Sequence, residues 1–162
     1  MFVRTAGERD LNAIRALLVE TWHAIYDAIY GVERVTEITD KWHSLASLRS
    51  RLTRPNSEFL VADDGTRLGG VAFAESSNDG EQVTLRQLYV LPGLQGRGIG
   101  GMLLDEVIDS FPEAHAIRLE VDEKNAKAIA FYEANGFVRT ADIGEHDGEE
   151  GHTIVFRRPL SG

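Results

Sequence analysis

The apolar positions of this 162-residue chain change period several times, and each change marks an element. Residues 2–5 read as a short first strand. Over 8–26, Leu11, Ile14, Leu17, Leu18 and Ile25 return near one face at helical spacing, which predicts a helix that Gly31 interrupts. Residues 36–52 predict a second helix, ended by Arg54-Pro55. Strand-like runs follow at 58–62, 68–75 and 83–91, separated by the turns Asp63-Asp64-Gly65 and Asp79-Gly80. A helix is predicted from Ile99 to Phe111-Pro112, then a strand at 116–121. In that strand Ile117, Leu119 and Val121 take one face, Arg118 and Glu120 the other. Asn125 suits the cap of a short helix ending before Gly136, and 137–160 predicts a hairpin around the acidic stretch 144–151. The order is β-α-α-β-β-β-α-β-α-β-β, an α/β (α+β) arrangement. No repeat or linker divides it, so a single domain over residues 1–162 is expected.

Composition narrows the classes. The hydrophobic share is 43% and the charged share 27%, an ordinary soluble balance. A net charge of −9 argues against a nucleic-acid surface and mildly favours a cationic acceptor. With no cysteine there is no thiol nucleophile and no thiolate metal site. No apolar run reaches the length of a membrane span, and the first residues lack a secretory apolar segment. The expectation is a cytoplasmic protein with no membrane or nucleic-acid partner.

The chemistry concentrates at Gln95-Gly96-Arg97-Gly98-Ile99-Gly100, a Gly-rich turn between a strand and a helix. Such a turn aims free backbone N–H groups outward at the positive end of a helix dipole, a setting for phosphate. A P-loop would need Lys and Ser or Thr after its last Gly, but Ile99 follows Gly98. A dinucleotide fingerprint does fit Gly96, Gly98 and Gly101, with Glu120 downstream. That fold, however, puts its glycines after the first strand and repeats βαβ units. Here a meander of strands precedes the turn and one βαβ crossover surrounds it.

The run from Leu88 to Gly100, with Gln95, Gly98 and Gly100 supplying a Gln/Arg-x-x-Gly-x-Gly/Ala core, resembles the signature of the GNAT superfamily of acyl-CoA N-acyltransferases. A second resembling segment runs from Asn125 to Phe137, in the family's order and at its usual distance. The resemblance covers nearly the whole chain and is loosest over the N-terminal third. It implies a GNAT fold, with a central mixed, mostly antiparallel sheet flanked by helices. It implies acetyl-CoA as co-substrate, with no metal. The pyrophosphate would lie on the N–H groups of Gln95, Gly96, Arg97, Gly98, Ile99 and Gly100. The pantetheine arm would lie along Leu88, Tyr89 and Val90 like an added strand, with Asn125 also on the cofactor side. Tyr132 is implied as the acid that protonates the departing thiolate, and Glu120 as a candidate base. The acceptor, a small-molecule or peptide amine, would occupy a pocket built from the first two helices, where Trp22, Tyr26 and Tyr30 are candidates beside Trp42 and His43. A homodimer is the family's habit.

Each residue also has a plainer reading. Tyr132 could be a packed core tyrosine, and Glu120 an ion-pair partner of Arg118. Trp22 and Tyr26, four residues apart on a helix, are expected to pack on each other. Lys124, Lys127 and Arg97 are either phosphate neighbours or ordinary surface charge. His146 and His152 offer no ligand pattern and read as part of a solvated turn. A CoA-binding regulatory module without turnover is the rival class.

Overall fold

The computed structural model describes residues 1–144 and 153–160. The predicted tail hairpin has its arms inside this range, whereas its tip, with His146 and His152, lies outside the described residues. The elements are β1 (Phe2–Thr5), α1 (Leu11–Tyr30), α2 (Val32–Trp42), α3 (Leu45–Leu52), β2 (Ser57–Asp63), β3 (Leu68–Ser76), β4 (Gln82–Val90), α4 (Ile99–Ser110), β5 (Ala116–Asp122), α5 (Ala126–Ala134), β6 (Val138–Ile143) and β7 (Thr153–Pro159).

Strand ends shift by a residue or so, and both N-terminal helices differ from the sequence reading. The first helix continues a turn further, to Tyr30, before Gly31 breaks it at φ 90°. The predicted single helix over 36–52 is two helices. Ser44 adopts an extended backbone and its Oγ accepts the Ser47 N–H at 3.1 Å, so it caps a new helix rather than continuing the old one.

The strands form one seven-stranded sheet in the order β1-β2-β3-β4-β5-β7-β6. Every neighbouring pair is antiparallel except β4 and β5, which α4 links by a parallel crossover. Period-2 alternation sends Phe59, Val61, Val71 and Phe73 to a core under α1 and α3. Their neighbours Leu60, Ala62, Ala72 and Ala74 face a second core with Leu103, Leu104 and Val107 of α4. The helix lies against bare backbone: a Cβ on Gly70 would stand 2.8 Å from Leu103 Cδ1. Glycine inside a strand marks such a close approach.

One irregularity positions the site. Phe73 pairs with Gln87 but Ala74 pairs with Leu85, so Arg86 is an extra residue in β4. This bulge bends β4 and increases its twist. On the other side, β4 pairs with β5 only from Gln82↔Ala116 to Leu85↔Leu119. β5 stays paired to β7 as far as Asp122. Beyond Leu85 the two parallel strands therefore part, and residues 86–90 border an open gap.

Candidate active site

The gap has a polar edge. Leu91 N–H donates to Gly69 O at 2.9 Å, which fixes the phase of the β3–β4 ladder. By antiparallel alternation the backbone groups of Leu88 and Val90 then face away from β3, into the gap. At its end the chain makes a turn with Gly96 at φ 83° and Gly98 at φ 81°. Gly98 occupies the N-cap position of α4 with no side-chain cap. The N–H groups of Ile99, Gly100 and Gly101 consequently have no partner within the helix and sit at its positive pole. Gly100 leaves room for a neighbour, because a Cβ there would come within 3.1 Å of the Phe131 ring. This brings α4 and α5 together over the gap. The sequence-predicted loop residues thus form an uncapped, anion-ready helix start beside the free edge of β4.

Three tyrosines from different elements meet there. Tyr132 of α5 is buried between Phe131 and Phe137, with ring centroids 5.3 Å and 5.5 Å away. Its hydroxyl has no hydrogen bond among the described residues. Burial, then the Tyr26 hydroxyl, raises its pKa well above the usual phenol value. Burial also pushes Tyr26 up to about 12, partly offset by a hydrogen bond from Asn125. Tyr89 is raised too, first by burial and then by Tyr26 and Tyr132. Asn125 holds this group in register. Its Oδ1 accepts Ala128 N–H at 3.2 Å, capping α5, and its Nδ2 donates to Tyr26 Oη at 3.3 Å.

On the α1 side of the sheet lies a cleft of about 950 Å³. Trp22, Tyr26, Tyr30, Trp42, His43 and Tyr89 all line it, as does Glu120. The sequence-expected packing of Trp22 on Tyr26 is present at 4.7 Å between centroids, and Tyr26 stacks on Tyr30 at 5.7 Å. Tyr30 donates a hydrogen bond to Asp122, tying the end of α1 to the end of β5. Glu120 accepts from Thr153 Oγ1 at 3.0 Å. Arg118 Nη2 stands 3.7 Å from its other oxygen, a loose ion pair rather than a tight one. Lys124 Nζ sits 5.6 Å over the Tyr30 ring, while Arg97 and Lys127 are exposed. Among the described residues no group of His, Asp and Glu could hold a metal ion.

Sequence reasoning missed one part of the cleft: Arg51, Arg54, Glu75, Arg86 and Gln87 line it too. They come from α3, the loop after it, β3 and β4, and no local spacing announces that α3 will lie over β3 and β4. Asp122 was also missed, although it continues the Arg118, Glu120 alternation.

Known proteins resemble this chain in sequence and in fold. A model of the acetyltransferase (GNAT) family matches residues 12–137. A peptidyl-lysine N-acetyltransferase of Escherichia coli is 31% identical over 138 residues, 83% of this chain and 82% of the relative. The ribosomal protein bS18-alanine N-acetyltransferase of Salmonella typhimurium is 40% identical over 107 residues, 63% of this chain and 70% of the relative. The fold is similar to that of a PaiA N-acetyltransferase from Thermoplasma acidophilum solved with coenzyme A, with TM-score 0.84 and 22% identity over 98% of both chains. With the match spanning β2 to β5, the Gly-rich turn and the tyrosine-bearing helix, the chain belongs to the GNAT family of acetyltransferases.

Proposed function

We propose that the chain moves acetyl from acetyl-CoA directly to a primary amine while both substrates are bound. The parting of β4 from β5 beyond Leu85 carries this reading. It leaves backbone amides of Leu88 and Val90 for a pantetheine arm, which has amides of its own to complete the ladder. The N–H groups around Gly98, Ile99 and Gly100, with Gln95, Gly96 and Arg97 beside them, suit the pyrophosphate. When bound, acetyl-CoA supplies the acetyl group as a thioester. The chain's own residues supply two proton movements and the positioning.

Tyr132 is the acid. Its raised pKa keeps its proton available at every working pH. Its hydroxyl is uncommitted, so donation to the leaving sulfur breaks no bond within the protein. Glu120 is the base, directly or through water. It lies on the cleft side of β5, where one carboxylate oxygen accepts from Thr153 Oγ1 and a carboxylate can accept several hydrogen bonds at once. Asn125 positions Tyr26 and starts α5, so its part on the cofactor side is to hold the helix that carries Tyr132. With no cysteine, no thiol is present to carry the acetyl group between substrates. A cytoplasmic homodimer is the setting this reading carries, on composition and the family's habit.

The test is release of free thiol from acetyl-CoA against a panel of amines. Peptides with a free N-terminal alanine and peptides with a free lysine belong in it, because two relatives are named for protein amines. At least one amine should raise thiol release well above the rate with acetyl-CoA alone. Saturable acetyl-CoA binding with no release for any amine would support the regulatory module instead.

A further inference from the structure

The far end of the cleft holds more positive charge than the protein can balance. Arg51 Nη1 donates to Gln87 Oε1 at 2.7 Å and Nη2 to Trp42 O at 2.8 Å. Both acceptors are neutral, and no carboxylate of the described residues pairs with this guanidinium. Arg51 and Arg54 flank the Phe73 ring at 5.8 Å and 5.9 Å. Arg54 and Arg86 share one carboxylate, Glu75, at 3.1 Å and 2.9 Å. Three cations thus face one anion, in a chain with 26 acidic and 17 basic residues. The usual acidic surplus is inverted at this spot.

His43 sharpens the point. Its Nδ1 faces two donors, Arg51 Nη2 at 3.4 Å and Gln87 Nε2 at 3.5 Å. A guanidinium can only donate, so Nδ1 presents its lone pair and the proton sits on Nε2. That Nε2 is buried with no partner among the described residues. The imidazole is therefore neutral and brings no negative charge to Arg51. Among the described residues the Nε–H and second Nη1–H of Arg51 have no acceptor; they lie on opposite sides of the guanidinium, so each offers one charge-assisted hydrogen bond to an anion's oxygen rather than a fork. Burial and the nearby Arg54 lower the Arg51 pKa to about 10, which agrees with an unbalanced site.

We propose that this end of the cleft is a carboxylate subsite centred on Arg51, and that the acceptors are amines that also carry a carboxylate. The proposal rests on the cleft being the acceptor site. The cleft is then bipolar, with Glu120 and Asp122 toward the amine and Arg51, Arg54 and Arg86 toward the acid. It departs from the whole-chain charge, which favours a cationic acceptor.

Two readouts test it. The chain's two tryptophans, Trp22 and Trp42, both line the cleft, so their fluorescence reports its occupancy. Glutarate should quench them saturably and glutaramide should not. Arg51→Gln should weaken glutarate by about tenfold or more, the scale of one charge-assisted hydrogen bond. Because Arg51 also ties α3 to the rest, Gln87→Glu is the second variant. It seats a carboxylate against Arg51 from within, should leave the melting temperature equal or higher, and should abolish glutarate binding.

The second readout is thiol release with ω-aminocarboxylates of increasing length against the matching ω-amino amides. A parallel pair of peptides with Glu or Gln at the second position shows whether a small molecule or a peptide delivers the group. The acids should be preferred, and either variant should erase the preference. Glutarate binding that is absent, or equal in all three proteins, overturns the subsite; so does equal use of acids and amides. If Arg51-dependent glutarate binding persists while no amine releases thiol, the subsite stands and the transfer reading falls.

Discussion

A phenol that burial keeps protonated is a proton donor by default, and Tyr132 has no other hydrogen-bonding task among the described residues. Tyr132→Phe should lower kcat by on the order of 100-fold while leaving acetyl-CoA affinity nearly intact, as read by steady-state kinetics beside a binding titration. Unchanged kcat would make Tyr132 a packing residue. Glu120 poses the opposite problem, since it has partners. Its Thr153 bond survives replacement by Gln, and the Arg118 contact at 3.7 Å is too long to hold much energy. Glu120→Gln should therefore melt near wild type and lose kcat/KM most at low pH, where free amine is scarce. A large drop in melting temperature with normal turnover per folded molecule would return Glu120 to a structural role. His43 gives a third handle. Burial first, then Arg51 and Arg15, lowers its folded pKa to about 3, against about 6.5 unfolded. Between those values the unfolded chain binds the extra proton. The stability linked to His43 is thus fully present above pH of about 6.5 and is lost as pH falls toward about 3. His43→Asn keeps an acceptor for Arg51 and Gln87, so it should flatten that acid slope in thermal melts. An unaltered slope would show that other groups govern it. At this scale the motif-borne residues were legible: Tyr132, Glu120 and the glycines each sit in a short pattern. Arg51 was not, because its meaning depends on which neutral groups surround it.

Elements were legible where periodicity was long and breakers were strong. Gly31 and Asn125 end and start helices as read, since positive φ and an Asx cap are local chemistry. The join between α2 and α3 was hidden, because a lone Ser is tolerated inside a helix and no Gly or Pro between Val32 and Leu52 breaks the apolar pattern. Ser44→Ala removes the Ser47 N–H partner and should cost about 1 kcal/mol in urea unfolding. A loss near zero would mean that packing alone sets the boundary. The bulge at Arg86 was equally hidden, since one extra residue in a strand leaves no compositional mark. Yet it is this bulge that lets β4 leave β5. The gap is therefore a property of pairing register, while the loop at its end is a property of sequence.

Over the whole molecule, the element order was enough to separate this fold from a dinucleotide-binding one. A single parallel pair in an otherwise antiparallel sheet allows only one crossover, and the Gly-rich turn lies within it. Net charge was a poorer guide, since an acidic chain encloses a cleft whose far end is cationic. The central claim is that the uncapped start of α4, beside the parted strands, holds a CoA thioester. Calorimetric titration of acetyl-CoA and of NAD into the wild type and into Gly98→Val tests it most directly. Gly98 sits at φ 81° with open space around its missing side chain, so Val strains the backbone there without a clash. Acetyl-CoA should bind the wild type saturably and bind Gly98→Val at least about tenfold more weakly, with NAD silent in both. Saturable NAD binding without acetyl-CoA binding, or acetyl-CoA affinity indifferent to Gly98→Val, would contradict the account.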